Sequence, residues 1–424
     1  VMIGGAPAAY RAGTLSISGS LGTRTTATFS TVDHPPFDDV VKTGRLPGWA
    51  NEPIMLTIPA GSVTGTLEDF PVLVKLSGSS GATHADVSKV FVALGSDANR
   101  KRICVTAGDG VTPCYVEIKE WSTATQTAYL WVRVPRINPG EDTHLYLYYD
   151  PLHAEMTDYV GDTASETAWN VWDNGWEFVG MKPSGGQLLD STRNQNHGTI
   201  YGATVTQGPL GACLSFDGVD DYVDCGNSVT LDPGANDFTL EVMAKAISGT
   251  YGRAIVSKGG WYDDGFSIQQ AYGPADQYYF VAKPSGGEYV LVQFGLRTAR
   301  DWKYIGGSRS GNTLSAVVDG IAKGNTDLPP DASLSSSNPL RIGTDVDRAN
   351  FFNGEVGFVA LSSVARSPAW IAATNLSLRD ELIVYSDPGD IVTFAATPHV
   401  GPAPLTVEVG QVVEIRDETT AIIF

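Results

Sequence analysis

Basic residues are scarce in this 424-residue chain: 28 Lys and Arg stand against 47 Asp and Glu, a formal charge of −19. A nucleic-acid partner, which needs a basic surface for phosphates, is excluded on that ground. No apolar run approaches the roughly eighteen residues of a membrane span, so no membrane insertion is expected. The opening VMIGGAPAAYRAG lacks the basic and then apolar pattern of a secretion leader. A protein of this sequence working outside a cell is therefore expected to be processed or to leave by another route. Long stretches of 3.6-residue periodicity are nearly absent. Catalytic signatures are missing too: there is no Gly-x-Ser-x-Gly elbow and no His-Glu-x-x-His. The six His are scattered, and Glu241 stands without a second carboxylate on its strand. The expectation is that the protein is not an enzyme.

What the chain does contain is glycine (47), proline (24) and short alternating apolar runs. That composition predicts an all-β, multidomain protein with many turns. Its four cysteines form two close pairs without zinc-site spacing, Cys104/Cys114 and Cys213/Cys225. Cys213 to Asn227 reads as a β-hairpin around an Asp/Gly-rich turn. With the turn centred on Val219, Phe216 faces Tyr222 and Cys213 faces Cys225, within disulfide reach. Cys104 and Cys114 are likewise symmetric about Asp109. Two disulfides and an oxidising or heat-adapted setting are expected; the alternative is four buried free thiols.

Leu214 to Val223 (LSFDGVDDYV) resembles the signature hairpin of the laminin-G-like, concanavalin A-type jelly rolls. Leu189 to Ala203, Phe238 to Val242 (FTLEV), Ile255 to Gly259 and Phe352 to Gly357 resemble successive segments of the same family, and Ser367 to Thr374 its late helix. The resemblance implies a jelly roll over 156–390. Because that fold serves lectins, adhesion modules and glycosidases alike, it leaves function open.

Residues 46–155 carry a meander of short strands, among them Ile54–Ile58, Phe70–Leu76, Val90–Leu94, Ala128–Val134 and Thr143–Tyr149. They resemble an uncharacterised β-sandwich family found before laminin-G-like modules in surface proteins. Their aromatics at period two are expected to be packing residues. Ala12 to Asp33 resembles the opening of a phage tail or baseplate β-domain. The continuation of that pattern comes at Val409 to Asp417 and Ala421 to Phe424, which implies a discontinuous domain, 1–45 plus 391–424, interrupted by both sandwiches. Val392 to Val407 also resembles the start of a PKD-type domain. The chain ends inside an apolar run at Phe424, as a piece of something longer would.

Two ligand sites are expected. Calcium needs six to eight oxygens, which Asp190, Asn194 and Asn196 could supply together with Asp217 and Glu355. Laminin-G-like modules resembling this one often hold a calcium at the sheet rim, although Thr192-Arg193 departs from the usual Ser-Gly of that loop. Glycan binding is expected at Trp261, Tyr262, Asp263 and Asp264, where aromatics stack on sugar C–H faces and carboxylates fix hydroxyls. Tyr272, Tyr278 and Tyr279 follow closely.

Together these features predict a non-enzymatic virion structural protein of tail, fibre or baseplate type. It would assemble as an oligomer with other virion subunits and display sandwiches that bind a host-surface glycan or protein. The alternative is a cellular surface or secreted adhesion protein with laminin-G-like and PKD-like modules; a glycosidase comes third. The expected location is the virion, the cell surface or the extracellular space.

Overall fold

A computed structural model describes residues 46–247, 252–270, 277–295 and 301–386, with short strands at 26–29, 405–408, 415–416 and 421–422. The chain is all-β apart from three short α-helices and a few 3₁₀ turns among the described residues. The first unit is a sandwich of two four-stranded sheets. One runs in the order Val384–Ser386, Ile54–Ile58, Thr143–Tyr149, Ile103–Thr106; the other Leu67–Leu76, Thr127–Ile137, Val116–Ser122, Val160–Asp162. Period-two alternation explains which side chains fill it. Ile54, Leu56 and Ile58 point inward beside Leu145 and Leu147, whereas Tyr146 and Tyr148 face out under Trp49. Pro71, which has no N–H for a ladder, lies on an edge strand. Val384–Ser386 follows the jelly roll in the chain yet pairs with Ile54–Ile58, so the first sandwich is closed by residues from beyond the second.

The apolar run from Val90 to Leu94 is a helix, Lys89–Leu94, and not a strand. A run this short fits either state. Burial of Val90, Phe91 and Leu94 on one face, with Val92 exposed, selects the helix. Gly95 ends it at φ 69°, its N–H donating to Phe91 O.

The second unit is a jelly roll. Phe238–Ala246 lies between Trp302–Ser310 and Asn353–Ser362, and Trp176–Ser184 extends that layer. The facing layer includes Gly265–Gln270, Tyr278–Lys283 and Ala254–Ser257. Phe238 meets Phe266 at 4.7 Å between ring centres and packs on Phe280 as well, joining the layers. Along Phe238–Ala246, Leu240, Val242 and Ala244 enter this core, whereas Met243 packs into the core shared with the first sandwich.

The two cysteine pairs do not form disulfides; all four thiols are free and buried. For the first pair the cause is register. Thr106 bridges Pro113, and Cys114 N donates to Val105 O, so Cys114 opposes Val105 and not Cys104. One residue of slip reverses the face: Cys104 packs with Trp49 and Tyr148, Cys114 in the main core. For the second pair the hairpin does not exist. Gly211–Asp217 pairs with Thr204–Gly208 and Asn353–Ser362, and Tyr222–Asp224 with Gly198–Tyr201 and Arg341–Ile342. Phe216 therefore opposes Gly354, and Tyr222 opposes Tyr201. Burial pushes the thiols of Cys104, Cys114 and Cys213 up to about 12.

The sandwiches share a buried seam. Trp131 and Trp172 lie 5.1 Å apart and Trp172 and Trp176 5.7 Å apart, with Phe358 stacked on Trp131. The helix Pro368–Leu378, capped by Ser367 accepting from Trp370 N, sets Trp370 against Phe70. Ser377 Oγ accepts from Leu73 N at 2.8 Å. Glu117, fully buried on the first sandwich, accepts from Thr163 Oγ1 (2.6 Å), Trp172 Nε1 (2.5 Å) and, on the jelly roll, Ser191 Oγ (2.8 Å). Lys119 Nζ donates to Leu210 O, Ala212 O and Glu120 Oε1. Arg366 is held between the rings of Trp176 and Trp370, at 4.6 and 4.1 Å. Beside it, Glu241 accepts from the Tyr304 hydroxyl.

Thr26–Phe29 pairs antiparallel with Leu405–Glu408, and Ile415–Arg416 with Ala421–Ile422. The remainder of the terminal segments expected to form a split domain, within 1–45 and 391–424, lies outside the described residues.

Two outcomes follow from the seam. Glu117→Ala removes the acceptor for three buried donors and should cost about 3–5 kcal/mol in urea unfolding. Glu117→Gln, which keeps one acceptor, should cost less; equal small losses would contradict the network. Burial raises Glu241 from 4.5 to about 7. The folded state then holds a proton that the unfolded state releases, so this group stabilises fully below pH 4.5 and its contribution falls as pH rises to about 7. Unfolding midpoints at pH 5 and pH 8 should converge in Glu241→Gln relative to wild type; an unchanged difference would assign the pH dependence elsewhere.

Candidate functional site

The loop Gly259–Gly265 leaves the strand Ala254–Ser257 through a bend that only glycine fits. Gly259 and Gly260 both sit at φ 135°, and a Cβ on Gly259 would lie 2.1 Å from Asp264 O. Gly260 N donates to Asp263 O at 2.8 Å, which closes the turn and projects its tip. Trp261 is locked there. Its Nε1 donates to Gln269 Oε1 at 2.6 Å, and its ring meets Tyr289 (4.7 Å, 66°) and Tyr279 (5.5 Å, 80°) edge to face. Tyr262 beside it is 87% exposed.

These residues form one wall of a cleft of about 340 Å³. The opposite wall is the Asp345–Asn350 loop, shaped by Asp345, whose carboxylate accepts from Ala349 N, Asn350 N and Asn350 Nδ2. Asp263 and Asp347 also line the cleft, and neither carboxylate has a hydrogen bond or ion pair among the described residues. Burial, then the neighbouring Asp347 charge, raises the Asp263 pKa from its ordinary value, with Lys283 opposing. Asp264 points elsewhere. It pairs with Lys283 at 2.6 Å, and that hydrogen bond holds its pKa low.

Of the tyrosines expected near this loop, Tyr279 packs against Trp261, Tyr278 is buried in the jelly-roll core, and Tyr272 lies outside the described residues. Tyr289, Asp345, Asp347 and Asn350 were not expected. The Asp-rich stretch Asp345 to Asn350 reads as an ordinary turn, and only the fold brings it opposite Trp261.

The five residues expected to hold calcium do not form one site. Both oxygens of Asp190 are filled, accepting from Val179 N, Thr192 N, Asn196 N and Thr192 Oγ1 at 2.8–3.0 Å. The amides of Asn194 and Asn196 donate to Glu177, and Asn196 also to Thr230. This is a closed turn network in which both oxygens of Asp190 are taken by its own loop and its neighbouring strand. Glu355 is ion-paired with Lys245 at 2.7 Å. Asp217 stands apart with Asp220 and Asp221, their carboxylate oxygens within 4.8 Å of one another. Burial, with the Asp217 and Asp220 charges adding to it, raises the Asp221 pKa. Among the described residues that trio is the acidic group with metal-ligand spacing.

Several solved structures resemble parts of the chain. The binding domain of Paraclostridial Mosquitocidal Protein 1 matches at 10% identity and TM-score 0.41, covering 48% of this chain and 52% of that one. The binding domain of Botulinum Neurotoxin DC in complex with SialylT matches at 12% and 0.38, covering 48% and 52%. Domain 4 of AbnA, a GH43 extracellular arabinanase from Geobacillus stearothermophilus, in complex with arabinotriose, matches at 13% and 0.38, covering 46% and 96%. The chain spans about half the length of the two toxin domains. No curated protein matches it. Residues 99–170 match the model of a domain of unknown function, DUF2341, and residues 217–372 that of the concanavalin A-like lectin/glucanases superfamily, laminin G type.

Proposed function

We propose that this protein is a non-enzymatic carbohydrate-binding component of an extracellular surface or particle, with the Trp261 cleft as its glycan site. One observation carries the reading: an immobilised tryptophan, an exposed tyrosine and two carboxylates without a partner among the described residues share one sugar-sized cleft. The aromatic rings offer stacking faces, and the carboxylates accept from hydroxyls. The match of the same unit to the concanavalin A-like lectin/glucanases superfamily supports a carbohydrate ligand. Glu117 and Glu241 are fully buried against Trp172 and Tyr304, out of reach of a substrate. Asp263 and Asp347 could in principle serve a glycosidase as its two carboxylates, so the binding reading requires that bound oligosaccharide be released uncleaved.

Screening on immobilised glycans should give a defined binder. Trp261→Ala should weaken it at least about tenfold, and Tyr262→Ala should weaken it with an unchanged melting temperature, because that ring is exposed. No new reducing ends should appear on prolonged incubation; their appearance would transfer the site to hydrolysis. Repeating the titration with calcium and with chelator tests a structural ion at Asp217, Asp220 and Asp221. Calcium dependence that survives Asp220→Asn with Asp221→Asn would exclude that trio.

Within this reading the assembly is a virion tail or fibre, and a cellular surface layer is the alternative. The former rests on the split terminal domain, for which the pairing of Thr26–Phe29 with Leu405–Glu408 brings together a strand before both sandwiches and one after them. Antibody against residues 46–386 should decorate phage-like particles in negative-stain micrographs; labelling of cell envelopes alone would favour the alternative.

A further inference from the structure

The cleft has a charge requirement that neutral sugar does not meet. Asp263 and Asp347 line it without a partner among the described residues, and Asp345 adds a third carboxylate to the same walls. Among the described residues no Lys or Arg lines it. Lys283, whose charge acts on Asp263, is ion-paired with Asp264. Like charges across a small gap repel, and that repulsion is relieved by a cation between them. A metal ion fits poorly. Calcium takes six to eight oxygens packed around one point, and these three aspartates are not among the groups whose ligand atoms all lie within 4.8 Å. The cleft's other lining is aromatic: Trp261, Tyr262 and Tyr289. Ring faces attract an organic ammonium by their quadrupole, whereas a hard, hydrated metal ion gains little from them.

We propose that the cleft selects saccharides carrying a free, protonated amine, with Asp263 and Asp347 as the residues that determine specificity. This rests on the glycan reading above and adds the charge of the ligand to it. The sugar ring would lie on Trp261 and Tyr262, and its ammonium would sit between the two carboxylates. The same carboxylates would repel sialylated and uronate-bearing chains.

The test is a set of titrations on the full chain with four probes: a glucosamine tetrasaccharide with free amines, its fully N-acetylated counterpart, a sialylated trisaccharide, and choline as a bare organic cation. The amine form should bind about five- to tenfold more tightly than the acetylated form at low salt. Binding of the sialylated probe should be undetectable. Asp263→Asn with Asp347→Asn should abolish the preference for the amine, bringing the two tetrasaccharides to equal affinity, and an unchanged melting temperature reports that the fold is intact. Equal affinity for the two tetrasaccharides, or a preference for the sialylated one, overturns the charge selectivity and leaves the glycan site standing. Choline binding as tightly as the amine tetrasaccharide overturns the glycan reading and keeps the ammonium site. No binding of any probe overturns both.

Discussion

The arrangement of the whole molecule depends on the buried carboxylate of Glu117. It projects from the first sandwich into a seam of tryptophans, where three donors from three segments converge on it, one of them Ser191 at the corner of the jelly roll. Burying a carboxyl group without partners is strongly unfavourable, and burial does raise the pKa of this one. Each donor must therefore be in place, and placing them fixes one sandwich against the other. Lys119, two residues along the same strand, repeats the device with opposite charge by capping the carbonyls of Leu210 and Ala212.

This seam uses one layer of the jelly roll, and the Trp261 cleft lies on the other. Met243, Tyr304 and Phe358 face the first sandwich, and Leu240, Val242 and Val359 face the jelly-roll core. The Trp261 loop arises from the opposite layer, at the end of Ala254–Ser257. A cleft mounted on a β-scaffold with a rigid neighbour keeps its aromatics pre-organised, which limits the ordering cost of binding. The edge contacts from Tyr279 and Tyr289 and the Gln269 hydrogen bond do this locally for Trp261.

Where sequence and structure part, the reason is register or long range. The alternation in the Ile54–Ile58 strand states which residues are inside, because a two-residue period leaves little choice. That in FTLEV states which face the jelly-roll core, although the fold buries Thr239 and Glu241 on the other face as well. The two cysteine pairs are symmetric about turns in the linear chain. Yet a single residue of slip separates Cys104 from Cys114, and the Asp-rich turn after Asp217 sends the two halves of the apparent hairpin to different partners. In that turn Asp217 accepts from Val219 N and Asp221 from Asp217 N, so side chains and not a strand ladder close it. The same local bonding fills Asp190, which from its neighbours alone looks available to a cation.

From the sequence alone came the all-β class, the two sandwich segments, the aromatic and acidic Trp261–Asp264 stretch and the excess of acidic charge, because each is set by composition or short periodicity. Only the tertiary structure decided that Val384–Ser386 closes the first sandwich, that Asp264 is paired with Lys283 and lost to the cleft, and that Tyr289 and Asp347 stand beside Trp261. Those outcomes depend on which distant strands become neighbours. That choice belongs to the sum of the core packing, and no spacing along the chain encodes it.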